Sequence, residues 1–134
     1  MSGGLSWHFP APPEVAWETL EATVQAAGIT IERPCGECHP HHPEIIYPID
    51  YGYVNGVPGE DGEPLDIFVG RAPTGLVAVA RTIDHRKGDT ELKLLWNCGP
   101  EEIYLVHGFL NFSPAHMTAT LRLRQPLHDM GRRG

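Results

Sequence analysis

Between residues 29 and 124, Gly, Pro and Asp recur so often that the sequence divides into short apolar-rich runs. Runs of that length, bounded by turn formers, read as strands. The segmentation predicts strands at 29–33, 45–54, 65–69, 76–84 and 91–97. A last strand at 117–124 alternates Met117, Ala119, Leu121 and Leu123 against Thr118, Thr120, Arg122 and Arg124, the period of a half-buried strand. Two helices flank this core. The first is predicted over 13–27, with Pro13 and Glu14 at its start and Trp17, Leu20, Val24 and Ala27 on one face; Gly28 stops it. The second is the segment PEEIYLVHGFL, with Glu101 and Glu102 in its first turn. The expected class is mainly β with flanking helices (α+β), a small OB-like barrel of five to six strands.

At 134 residues the chain is expected to form one domain over 1–134, with 1–12 loose because Pro10, Pro12 and Pro13 fix an extended path. A formal charge of -7 disfavours general nucleic-acid binding. No run is long and apolar enough to span a bilayer. The opening MSGGLSWHFPAPPE lacks a basic stretch followed by an apolar one, so a cytoplasmic location is expected. Three cysteines disfavour a disulfide scaffold.

The chemistry concentrates in YPIDYGYVNGVPGEDGEPLDIFVG, which gathers Asp61, Glu63 and Asp66 within six residues. On an extended chain Asp61 and Glu63 would project to similar sides. Each close carboxylate pair costs about 4 kcal/mol at ~4 Å and an effective dielectric of ~20. Water, protonation or a cation must relieve that cost, and oxygen-only donors suit Mg2+ or Mn2+ better than Zn2+.

This segment resembles the soluble, Mg2+-dependent inorganic pyrophosphatases (family I). YPIDYGYVNG is similar to that family's Y-P-x-N-Y-G-Y/F stretch and DGEPLDIFV to its D-G-D-P-x-D signature; ARTIDHRKGDTELKLL and ITIERP are similar to flanking strands. The resemblance spans roughly residues 29–97. It implies a metal shell of Asp61, Glu63, Asp66, Asp84, Glu91 and Glu32, with Asp89 an alternative to Glu91. It implies Glu63 as water-orienting base and catalytic roles for Asp66, Lys93 and Tyr51. Phosphate would be bound by Lys93, Tyr51, Arg33 and His39, with His41 and His42 as further candidates. The implied reaction is hydrolysis of pyrophosphate, a small-molecule phosphate substrate, and homo-oligomers are common in the family. Two departures stand out: the signature's middle aspartate is Glu63 here, and the chain's lysines are Lys87 and Lys93 alone.

CGECHPHH is a competing signal. Cys35-x-x-Cys38 followed by His39 has the form of a c-type haem attachment site, and of half a zinc site to which His41 or His42 could contribute. No second CxxC accompanies it, and Cys98 stands alone.

Overall fold

The computed structural model describes residues 15–126; the expectation for 1–12 lies outside them. The elements in chain order are α1 (Trp17–Ala27), β1 (Ile29–Arg33), β2 (Cys38–His39), β3 (His42–Ile46), β4 (Asp50–Pro58), β5 (Pro64–Val69), β6 (Leu76–Asp84), β7 (Asp89–Trp96), α2 (Pro100–Leu110) and β8 (Met117–Leu123). Six strands form one sheet in the order β1-β4-β5-β7-β6-β8, and β2 with β3 forms a separate two-stranded sheet. All neighbours in the large sheet are antiparallel except β5 and β7. That parallel pair arises because the β6–β7 hairpin folds back and inserts β7 between β5 and β6.

Alternation along the strands gives the sheet two apolar faces. On one face Tyr51, Phe68, Ala78, Ala80, Leu95 and Ala119 pack beneath Ile103, Val106 and Leu110 of α2. On the other, Val54, Leu65, Ile67, Val79 and Leu94 pack against Val24 of α1. Trp17 and Trp96 join this second core. Burying each large side chain contributes about 1.5–3 kcal/mol.

Polar groups fix both helices in place. Glu21 Oε2 of α1 accepts the Leu76 N–H at 3.0 Å and pairs with Arg124 Nη1 at 3.0 Å, and the same guanidinium donates to the Leu76 carbonyl at 3.0 Å. Glu102 reaches back to the Gly99 N–H at 3.0 Å, satisfying a free donor at the start of α2. It also accepts the Arg71 N–H at 3.1 Å, which ties the β5–β6 loop to the helix.

The structure corrects the expectations at several points. The sheet is open rather than a closed barrel, because β1 and β8 end the strand order without pairing. A helix on each face buries the apolar surface that closure would otherwise enclose. The edge at β8 is partly taken by Asn111, whose amide accepts the Ala119 N–H at 2.9 Å and donates to the Ala119 carbonyl at 3.2 Å. Helix α1 begins at Trp17, after Val15 and Ala16; Pro13 and Glu14 lie outside the described residues. The single strand expected over 45–54 is the end of β3 and the start of β4. Pro48, which has no N–H to give a ladder, sits in the break. Tyr47 there exchanges backbone hydrogen bonds with Gly36 and Glu37 and turns into the core. Asp61 and Glu63 occupy a turn instead of an extended run, and Asp61 Oδ1 accepts the Glu63 N–H at 3.0 Å.

Candidate functional site

Strand pairing builds the site. In the parallel β5–β7 ladder Asp66 lies beside Lys93, and in the β4–β5 ladder Tyr53 lies opposite Asp66 and Tyr51 opposite Phe68. Tyr51, Asp66 and Lys93 therefore share the α2 face of the sheet, and Glu91, two residues before Lys93, joins them. The Lys93 ammonium is the hub. It donates to Asp66 Oδ2 at 2.7 Å, to Tyr51 Oη at 3.1 Å and to Glu91 Oε1 at 3.2 Å. Lys93 is only 7% exposed, whereas the Asp66 and Glu91 side chains keep 26% and 36% of their surface. The cluster is thus open on its carboxylate side and closed behind its ammonium.

Burial disfavours the charge on Lys93. The oxygens of Tyr51, Asp66 and Glu91 outweigh that penalty and hold its pKa above the ordinary lysine value. Burial also pushes the Tyr51 phenol well up, against the pull of Lys93. Tyr51 therefore accepts from Lys93 and keeps its own proton to donate.

A second line of contacts runs outward from this hub. Tyr51 stacks on Tyr47 with ring centroids 5.1 Å apart, and the Arg33 guanidinium carbon lies 5.7 Å from the Tyr47 ring centroid. Burial raises the Tyr47 pKa, with Arg33 and Lys93 opposing it. Tyr47 thus joins the lysine cluster to Arg33. It was not among the sequence candidates; its only signal there was a place four residues before Tyr51 in YPIDYGY. Arg33 owes its orientation to a bulge in β1: the register shifts between Ile31 and Arg33, so that Arg33 lies opposite Tyr51 on the site face. The skipped residue, Glu32, is exposed and stands 3.7 Å from the Arg33 guanidinium.

The remaining sequence candidates stand apart from the hub. Asp61 and Glu63 are exposed on the β4–β5 turn. Their neighbour Glu60 pairs with Arg81 of β6 at 2.7 Å. Asp84 lies opposite Asp89 at the far end of the β6–β7 hairpin. Its Oδ1 accepts the N–H of Arg86 at 2.9 Å and of Lys87 at 3.1 Å. The Lys87 bond leads in holding the Asp84 carboxyl below the ordinary carboxylate value, with burial opposing and the Arg86 bond adding to it. His39 belongs to the β2–β3 hairpin near Arg33; burial first, then the charges of Arg33, His42 and His41, lower its pKa. Asp50 accepts the Cys35 N–H at 2.8 Å, and Cys35 Sγ donates to the Pro48 carbonyl at 3.2 Å.

Among the described residues no three of His, Cys, Asp and Glu are arranged to hold a metal ion; this covers the acidic signature and CGECHPHH alike. Asp66 and Glu91 nevertheless fit a hard dication by donor type. Both are partly exposed carboxylates aimed at one positive centre, and oxygen-only donors suit Mg2+ or Mn2+. No helix among the described residues is long and apolar enough to cross a membrane.

No protein-family model matches the chain, and no curated protein matches it. Its fold is similar to that of solved inorganic pyrophosphatases. The enzyme from Neisseria gonorrhoeae has a TM-score of 0.55 and 13% identity, with 80% of this chain and 94% of that one covered. The enzyme from Thermus thermophilus has a TM-score of 0.50 and 18% identity, covering 78% and 86% respectively. At these identities the likeness shows a shared fold alone.

Proposed function

We propose that this chain is a metal-dependent hydrolase of a small phosphoanhydride, with inorganic pyrophosphate as the favoured substrate. The observation that carries the reading is the buried Lys93 ammonium held by Tyr51, Asp66 and Glu91 on a fold shared with inorganic pyrophosphatases. Phosphoryl transfer depends on positioning and charge neutralisation more than on covalent chemistry. Lys93 and Arg33 supply fixed positive charge to phosphate oxygens, Tyr51 supplies a hydrogen-bond donor, and His39 adds a contact from the hairpin. Asp66 and Glu91 would hold Mg2+ (or Mn2+); Asp61, Glu63, Asp84 and Glu32, which stand apart from Lys93, are the further acids that the resemblance offers for the shell. The metal, when bound, would lower the pKa of the attacking water and neutralise developing charge. Glu63 would be the group to take a proton from the attacking water. The free thiols of Cys35, Cys38 and Cys98 fit a reducing compartment, in line with a cytoplasmic location.

A second reading has one observation in its favour. Asp61 and Asp84 already accept backbone N–H groups of their own turns. Such acids are already employed as turn formers, which suits a module that binds a phosphate compound without turning it over.

Phosphate release from pyrophosphate, followed with Mg2+, with Mn2+ and with EDTA, tests the proposal. Rapid release that EDTA abolishes is the expected result. If neither metal supports release, pyrophosphate hydrolysis is excluded, and a panel of other small phosphate compounds separates a different substrate from the binding module.

A further inference from the structure

The β2–β3 hairpin carries His39, His41 and His42 around a tight turn, and their rings form a cluster. The His39 centroid lies 5.9 Å from that of His41 and 5.2 Å from that of His42. The His41 N–H donates to His39 Nδ1 at 3.1 Å, which leaves Nε2 of His39 as its proton-bearing atom. The hairpin is stitched to the strand that supplies the site. Gly36 N–H donates to the Tyr47 carbonyl at 2.9 Å, Tyr47 N–H to the Glu37 carbonyl at 3.0 Å, and Cys35 N–H to Asp50 at 2.8 Å. Contacts therefore run from the lysine hub through Tyr51 and Tyr47 to Arg33, whose charge is felt by His39.

The permanent cations along this line are few. Lys93 is shared between two carboxylates, and Arg33 is partly offset by Glu32. Elsewhere Arg81 is engaged by Glu60 and Arg124 by Glu21. Beyond a bound metal, the fixed cations available to a ligand carrying several negative charges are Arg33 and Lys93, both already shared with carboxylates, and the histidines of the hairpin are the groups able to add charge. We infer that the three-histidine hairpin is a proton-dependent anion clamp, which grips the outer phosphate of a diphosphate ligand when protonated and releases it when neutral. The inference rests on the reading of the site as a phosphate site and assigns its regulation.

The groups facing His39 are Arg33 from β1, Glu44 from β3 and the imidazoles of His41 and His42. Arg33 and the neighbouring imidazoles oppose protonation of His39, whereas Glu44 favours it and stands 3.6 Å from His42 Nδ1. Burial and the Arg33 charge thus favour neutral His39 in the free clamp, and a bound phosphate reverses that balance.

The test is binding of methylenediphosphonate, a diphosphate analogue that is not hydrolysed, to the wild-type chain and to H39Q/H41Q/H42Q in Mg2+ at pH 5.5 and 8. Gln keeps a hydrogen-bond donor and removes the charge, and titration of the analogue cancels in the ratio of the two proteins. Wild type is expected to bind about tenfold more tightly than the variant at pH 5.5 and equally at pH 8, since one unit of pKa shift is tenfold in affinity. In parallel, the histidine ring protons followed by NMR should titrate at higher pH with the analogue bound. Equal affinities at pH 5.5, or a difference that persists unchanged at pH 8, overturns the clamp. So do histidine titrations that ignore the analogue, a readout independent of how the variant folds. Turnover of pyrophosphate with no histidine effect refutes the clamp alone. Proton-linked analogue binding without turnover upholds the clamp and removes the hydrolase reading.

Discussion

Lys93 neutralises two carboxylates from a position with little access to water. Its removal leaves Asp66 and Glu91 facing each other without a counter-charge. Lys93→Met is expected to destabilise the fold by ~3 kcal/mol in chemical denaturation, the lower part of the range for breaking a buried pair, because both acids keep some solvent. Asp66→Asn keeps the shape and removes a charge; it should abolish metal-dependent phosphate release and lower the denaturation midpoint by less than Lys93→Met does, because Glu91 still faces the ammonium. Retained turnover would remove Asp66 from the machinery. Alkaline titration probes the same cluster. In the fold the Lys93 pKa lies above its ordinary 10.5 and that of Tyr51 above its ordinary 10.0. The stability each supplies is fully present below those ordinary values and is lost as pH rises through the folded ones. Denaturation midpoints should therefore show no loss from these groups between pH 7 and about pH 10, then a decline that Tyr51→Phe makes shallower. In the sequence, Asp66, Lys93 and Tyr51 were visible as chemistry-bearing types in a strand context. That Glu91 rather than Asp89 meets Lys93 follows from their two-residue spacing on one strand. The turn roles of Asp61 and Asp84 were not legible, because an Asx turn and a ligand carboxylate use the same residue type.

At the scale of elements, β1 and β4 approach so closely at Gly52 that a Cβ there would overlap the Thr30 carbonyl oxygen and press on the Ile31 Cα at 2.8 Å. Both obstacles are backbone and cannot rotate aside. Gly52→Ala is expected to cost at least ~2–3 kcal/mol, read as a lower thermal midpoint. It should also weaken phosphate binding, since the same strand pair presents Arg33 opposite Tyr51. The strands 29–33 and 76–84 and the helix opening at Pro100 were readable to the residue because Gly, Pro and first-turn acids mark their ends. The divide between β3 and β4 was not, although Pro48 signals it, because the apolar residues Ile45, Ile46, Tyr47 and Ile49 around that proline read as one strand. Nor was the β1 bulge, which no residue type announces.

Across the whole molecule, Glu21 ties α1 both to the start of β6 and to Arg124, just past the end of β8. Glu21→Ala leaves the Leu76 N–H and the Arg124 guanidinium without that partner. Its expected effect is a loss of ~1–2 kcal/mol in denaturation with phosphate release unchanged below the melting range, because α1 packs on the face opposite Lys93. The open sheet was not foreseeable from strand number, since closure depends on long-range pairing of β1 with β8 and neither strand carries a signal for or against it. The other face has a different consequence. The apolar stack under α2 and the carboxylates around Lys93 are successive rungs of the same ladders, separated only by where an eleven-residue helix ends. On the proposed reading the ligand-facing surface is an unroofed stretch of core, and the length of the helix above it decides how much of the sheet is spent on stability and how much is left open.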